Sequence, residues 1–166
     1  MEKDRTTFTQ LYKQYAGDVY RFSFWLSGDT ALAKDITSET FVRVWTSESG
    51  IHFDTVKAYL FAIARNLYLH SKRRQKKLTR LDEDLMDNAH QPDELLSNKS
   101  ELERTLKTLH TFPEIDRAVL LMRAEEQMSY EEIARSTGLS ISAVKVKVFR
   151  TRAKLQQLLK STKGAS

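Results

Sequence analysis

Apolar residues recur along this chain in steps of three and four. Phe8, Leu11, Tyr12, Tyr15, Val19, Phe22 and Leu26 form one such stripe, the mark of an amphipathic helix. Gly28-Asp29 interrupts it. The segment TALAKDITSETFVRVW then sets Leu32, Ile36, Phe41 and Val44 at helical spacing, with Trp45 following. Residues 46–54 (TSESGIHFD) read as a loop of turn formers, with Asp54 as N-cap of the next helix. That helix carries Val56, Tyr59, Leu60, Ile63 and Leu67, and its period dissolves into the polar run HSKRRQKK. Residues 81–100 contain Pro92 and keep no long period, so they read as a linker with a short helix at 93–96. Beyond it Leu102, Leu106 and Leu109 form a stripe. Phe112-Pro113 breaks it, and Pro113 suits the first position of a following helix. Val119 and Met122, with Leu120 and Leu121 beside them, continue the core. Ser129 and Glu132 make a capping box, Ile133 and Ala134 face inward, and Gly138 stops that helix. Ser140 caps a last helix running towards Leu159.

One stretch tests this all-helical reading. Residues 144–152, VKVKVFRTR, alternate apolar and basic residues as a half-buried strand does. Wound at about 100° per residue, however, Val144, Val148, Thr151, Leu155 and Leu158 share an arc of about 80°. Lys145, Val146, Phe149, Arg150 and Ala153 fall opposite. A strand would strand the leucines that follow and would need a partner, and the chain offers no other strand candidate. Helix is the consistent assignment. The predicted fold is all-α: two small helical domains, residues 1–80 and 101–166, joined by a flexible linker at 81–100.

Composition narrows the function. The chain has five Gly, two Pro and no Cys in 166 residues, which favours long helices with short connections and excludes disulfides and thiolate metal sites. The N-terminus MEKDRTTFTQ is polar and no apolar run approaches the roughly 18 residues of a membrane span, so a cytosolic protein without membrane insertion is expected. The net charge of +5 is unevenly spread. Residues 1–80 carry a net +6, residues 81–100 a net −5 and residues 101–166 a net +4. Two basic lobes flanking an acidic bridge point to a polyanionic partner.

Capping box, glycine turn and basic helix together describe a helix-turn-helix, whose second helix enters a major groove. Lys145 and Arg150 could donate to guanine acceptors and Val146 could pack on a thymine methyl. Lys147, Arg152 and Lys154 suit phosphates. A solvated basic face would show the same charges without the turn. In the first lobe, Thr55 to Leu81 holds eight basic residues (Lys57, Arg65, Lys72, Arg73, Arg74, Lys76, Lys77, Arg80) and no acid. Tyr59, Phe61 and Tyr68 interleave them. Cations with aromatic rings suit single-stranded DNA, but on this segment alone Tyr59 and Phe61 as partial core and KRRQKK as a frayed helix end account for the pattern better.

Three segments in this order, ALAKDITSETFVRVW, AYLFAIARNLYLHSKRR and FPEIDRAVLLMRAEEQMSYEEIARSTGLSISAVKVKVFRTRAKL, resemble a bacterial RNA polymerase sigma factor of the sigma-70 family, in its compact extracytoplasmic-function group. The resemblance implies region 2 in the first domain and region 4 in the second. It implies that Asp35, Ser38, Glu39, Phe41 and Trp45 dock on the β′ clamp helices of core polymerase, with the β flap as a further contact. The Gln that commonly precedes this Glu is Ser38 here. It implies that residues 46–54 capture a flipped base of the −10 element. Tyr59, Arg65, Asn66, Lys72, Arg73 and Arg74 would follow the melted −10 strand. Lys145, Val146, Lys147, Phe149, Arg150 and Arg152 would read the −35 duplex. Family members are often held by an anti-sigma factor. Where the family usually has Gly before SYEEIA, Gln127-Met128 stands here, and the preceding helix is expected to run further.

Two other classes compete. A stand-alone helix-turn-helix regulator would need a sensor lobe, and the basic end of the first lobe suits one poorly. An enzyme acting on nucleic acid would need a catalytic constellation. The four His are scattered without ligand spacing and no phosphate-binding glycine loop occurs, so no catalytic residue, metal or cofactor is expected.

Overall fold

The computed structural model describes residues 2–47, 56–81 and 100–164, and every regular element among them is a helix. The first lobe consists of α1 (Glu2–Ser27), α2 (Thr30–Thr46) and α3 (Val56–Leu81). The second consists of α4 (Ser100–Leu109), α5 (Glu114–Ala124), α6 (Tyr130–Thr137) and α7 (Ile141–Gly164). The 46–54 loop beyond Ser47, Asp54 and the 93–96 helix lie outside the described residues.

Local chemistry fixes the turns. Gly28 closes α1 in the left-handed region (φ 72°), and Asp29 then caps α2 by accepting from the Leu32 amide at 3.1 Å. A side chain at Gly28 would also press on His110, whose Nε2 would lie 3.3 Å from a Cβ there. Both halves of the predicted capping box form: the Ser129 hydroxyl accepts from the Glu132 amide and Glu132 accepts from the Ser129 amide. Gly138 (φ 79°) ends α6, and the Ser140 hydroxyl accepts from the Ala143 amide at the start of α7.

Three expectations change. Helix α3 does not dissolve at residue 70 but continues to Leu81. Lys, Arg and Gln are good helix formers, so propensity carries the end where no apolar period does. Pro113 is the N-cap of α5 rather than its first residue. And α5 does not run further for want of a glycine. It ends at Ala124, and Gln127 itself takes the left-handed conformation (φ 54°), a strained choice for a residue with a Cβ.

The stripes pack as their spacing dictates. Leu11, Val19, Phe22 and Leu26 of α1 meet Ile36, Phe41 and Val44 of α2 and Leu60, Phe61 and Ala64 of α3. In the second lobe Arg117 to Met122 are buried on every side of α5, because α1, α6 and α7 all pack against it. The buried cluster does not stop at the lobe boundary. It runs through α5 and α6 to Val144 and Val148 of α7, and α6 lies on α3 while α5 lies on α1.

Candidate nucleic-acid and polymerase interfaces

Helix α7 presents two faces, as the helical winding requires. Val144 and Val148 are buried and Thr151 is 4% exposed, so this stripe fixes the helix to its lobe. Lys145, Val146, Phe149, Arg150 and Arg152 stand in solvent. Phe149 is 76% exposed, a large apolar side chain held out among cations with no core to enter. Lys145 lies over the Tyr130 ring, which is also covered by Arg123, so α6 props the start of α7. Lys147 sits apart from this set. It is half-buried and its Nζ donates to Asp116 at 3.2 Å. Lys154 lies over Phe112.

Helix α3 differs along its length. Arg73, Arg74, Lys76, Lys77 and Arg80 are exposed, and Asn66 is exposed as well. Nearer its start the cations are engaged. Arg65 meets Glu114 of α5 through two parallel bonds, Nε to Oε1 at 2.7 Å and a guanidinium NH₂ to Oε2 at 2.8 Å. Lys57 donates to the Glu126 carbonyl at 2.7 Å. The interleaved aromatics serve packing: Phe61 is fully buried, Tyr68 is 4% exposed and Tyr59 is half-buried. Phe61 is thus core, the reading its segment alone favoured, and Tyr68 offers no ring face for stacking.

The residues marked for polymerase docking separate into three environments. Ser38, Val42 and Trp45 line one side of a groove of about 510 Å³ closed by Phe8 and Tyr12 of α1. Trp45 and Val42 are each about half exposed, and the Trp45 ring meets Phe8 edge-on at 4.8 Å. Asp35 and Glu39 face the other way, into a groove between α2 and α3 with Leu67, His70 and Arg74. Phe41 is 2% exposed and packs edge-on against Phe8 and Tyr12. It shapes the groove and has no surface to offer a partner.

Sequence reasoning missed the groups between the lobes. Arg117 is 6% exposed. Its guanidinium donates to the Phe112 carbonyl at 2.9 Å, to the Leu26 carbonyl at 3.2 Å and to the Tyr68 hydroxyl at 3.0 Å. Leu26 lies in the last turn of α1, where carbonyls carry the negative end of the helix dipole, so a cation from the second lobe caps a helix of the first. Burial pushes the Tyr68 phenol up, and the Arg117 charge and hydrogen bond work against that rise. The Glu126 side chain is wholly buried and receives Arg21 of α1 through both oxygens, at 2.9 and 3.0 Å. Burial raises its pKa, and Arg21 opposes the rise. His110 is lowered to about 4 by burial of its ring, then by the charges of Arg117 and Lys72, against a hydrogen bond to the Trp25 backbone that raises it. The one signal available beforehand was an arginine at the head of the apolar run AVLLM in α5.

Comparison with known protein families decides what these surfaces belong to. The model for "Sigma-70 region 2" matches residues 11–78, and that for "Sigma-70, region 4" matches residues 102–155.

The chain belongs to the sigma-70 family.

Within it the relatives are of the extracytoplasmic-function (ECF) group. The chain is 28% identical to the ECF RNA polymerase sigma factor SigM of Bacillus subtilis, over 92% of this chain and 94% of SigM. It is 32% identical to the ECF sigma factor SigE of Mycolicibacterium smegmatis, over 92% of this chain but 62% of SigE. Among solved structures it resembles the sigma factor RpoE of Bartonella quintana, with a TM-score of 0.75 and 25% identity over 93% of this chain and 97% of that one. It also resembles CnrH, with a TM-score of 0.70 and 25% identity over 95% and 90% of the two chains. As a sigma factor it binds core RNA polymerase and directs promoter-specific initiation of transcription. Among the described residues no helix is long and apolar enough to cross a membrane.

Proposed function

We propose that this sigma factor reads the two elements of its promoter with two different helices and holds polymerase with a third. Residues 101–166 form the −35 reader, with Lys145 and Arg150 on guanine edges, Val146 and Phe149 on apolar base surfaces and Arg152 on phosphate. Lys147 would reach a phosphate only by exchanging Asp116 for it. Residues 1–80 carry the other two tasks. Helix α3 follows the melted −10 strand with Asn66, Arg65, Lys72, Arg73 and Arg74, Tyr59 lying at the margin of that face. The outer ridge of α2, with Asp35, Ser38, Glu39 and Trp45, meets the β′ clamp helices. The acidic linker at 81–100 would be repelled by DNA.

The observation that carries this reading is the outer face of α7. Val146 and Phe149 are exposed between Lys145 and Arg150 on a helix anchored by Val144 and Val148. Apolar and cationic groups side by side match the mixed methyl and acceptor edges of a major groove. The chain makes no bonds itself, since nucleotide joining is the polymerase's reaction, and it acts in the bacterial cytoplasm. The solved RpoE of Bartonella quintana is bound to the anti-sigma factor NepR, and we assign this chain the same class of regulator. The test is transcription by purified core polymerase. The wild-type chain should yield promoter-specific transcripts, and Trp45→Ala should lose both core binding and transcripts. Core binding undiminished in that variant would remove the α2 ridge from the docking surface.

A further inference from the structure

One flank of α7 is held by the neighbouring helix. Wound at about 100° per residue, Lys147 and Lys154 fall within about 20° of each other, between the buried valine stripe and the outer face. Both are engaged at the start of α5. The Lys147 Nζ donates to Asp116 Oδ1 at 3.2 Å, and the Lys154 Nζ lies 5.7 Å from the centre of the Phe112 ring. The Lys147 and Asp116 side chains are 34% and 22% exposed. Asp116 stands in the first turn of α5, whose N-cap Pro113 supplies no side-chain cap. Glu114, the other acid of that turn, is committed to Arg65, which leaves Asp116 as the carboxylate facing α7. Arg152, on the other flank of α7, is exposed.

A helix seated in a major groove has a phosphate backbone along each flank, and cations there set affinity without reading bases. We propose that Asp116 sets the strength of −35 duplex binding by holding the Lys147 ammonium as a backbone phosphate would. Carboxylate and phosphate are both anionic oxygen acceptors, and they compete for one ammonium. While the ion pair is intact this flank adds no phosphate contact, and the Asp116 charge itself repels a backbone running past it. Asp116 is a positioning residue: it acts through Lys147 and touches no base. Its effect is therefore on affinity and salt dependence, and not on base preference. The proposal rests on the reading of α7 as the −35 helix. Lys145, Arg150 and Arg152 then carry the duplex without help from the Lys147 flank.

Binding of the full chain to a fluorescein-labelled random-sequence duplex, followed across a salt series, tests this. Asp116→Asn keeps the shape and removes the charge. It should tighten binding about fivefold at low salt. The slope of log affinity against log salt should steepen by about 0.9, the share of one added phosphate contact. Lys147→Ala should change little in the wild-type background and should cancel the gain when combined with Asp116→Asn. Duplexes varied one position at a time should show the same base preference in all three variants. No gain from Asp116→Asn overturns the proposal. So does a gain that survives Lys147→Ala, which would mark a general effect of charge, or a large loss from Lys147→Ala alone, which would put Lys147 on phosphate already. Failure of α7 as the reader is separable through Lys145→Ala and Arg150→Ala. If these weaken duplex binding while Asp116→Asn changes nothing, only the role of Asp116 is wrong. If they also change nothing, the assignment of α7 fails with it.

Discussion

The two basic helices differ in what stands in front of them. Helix α7 holds Lys145, Phe149 and Arg150 out in solvent on a stripe of buried valines, a preformed face that we propose for the rigid duplex. Helix α3 carries more cations, but Arg65 and Lys57 are spent on Glu114 and Glu126 of the other lobe and Phe61 and Tyr68 are buried. Charge counted along a sequence does not measure charge available to DNA. A lone helix face suffices for intact base pairs, whereas a strand-capturing face needs grooves and rings that can also be filled from within the molecule.

The comparison can be broken at its most buried point. Arg117→Ala should have the largest effect, because it removes three buried hydrogen bonds, two of them across the lobe junction, and leaves the Leu26 and Phe112 carbonyls and the Tyr68 hydroxyl without their donor. A loss of about 3 kcal/mol or more in urea unfolding is expected. Next come the exposed cations of α7. Lys145→Ala and Arg150→Ala should each weaken −35 duplex binding by about 1–3 kcal/mol and relax preference at one base pair, as measured with duplexes varied one position at a time. Arg65→Ala should leave duplex binding unchanged. A uniform loss over all sequences would mark Lys145 or Arg150 as a phosphate contact.

Two smaller effects sharpen the picture of the junction. Gln127→Gly should stabilise the chain by about 0.5–1 kcal/mol in thermal unfolding, since Gln127 holds a left-handed φ of 54°. The smallest effect concerns His110, whose pKa is lowered to about 4 in the folded chain. Its unfolded value is about 6.5, so the unfolded chain takes the proton first. Stability should fall as the pH drops from about 6.5 to about 4, with Arg117 and Lys72 as the charges that oppose protonation. The ring is only partly covered, so the slope is shallow. His110→Gln should flatten it.

What could be read in advance followed from periodicity and local chemistry. The stripe of α1, the capping box at Ser129 and the two faces of α7 depend on neighbours within a turn or two, and they formed as read. The continuation of α3 to Leu81 was hidden because no apolar residue repeats there and propensity alone sustains it. Phe41 has the same chemistry as an exposed aromatic such as Trp45, and only the tertiary packing of Phe8 and Tyr12 tells them apart. The junction was not legible because its partners are distant: Arg21 and Glu126 are 105 residues apart, and Leu26 and Arg117 are 91. Nothing in one sequence pairs such residues.

The central claim is that the basic face of α7 is open while the start of α3 is covered. Arginine-selective modification by phenylglyoxal, followed residue by residue by mass spectrometry on the free full-length chain, tests it directly. Arg150 and Arg152 should react at the rate of exposed arginines, while Arg65 and Arg117 should be protected until the chain is unfolded. Equal modification of Arg65 and Arg150 in the native wild-type chain would contradict the account.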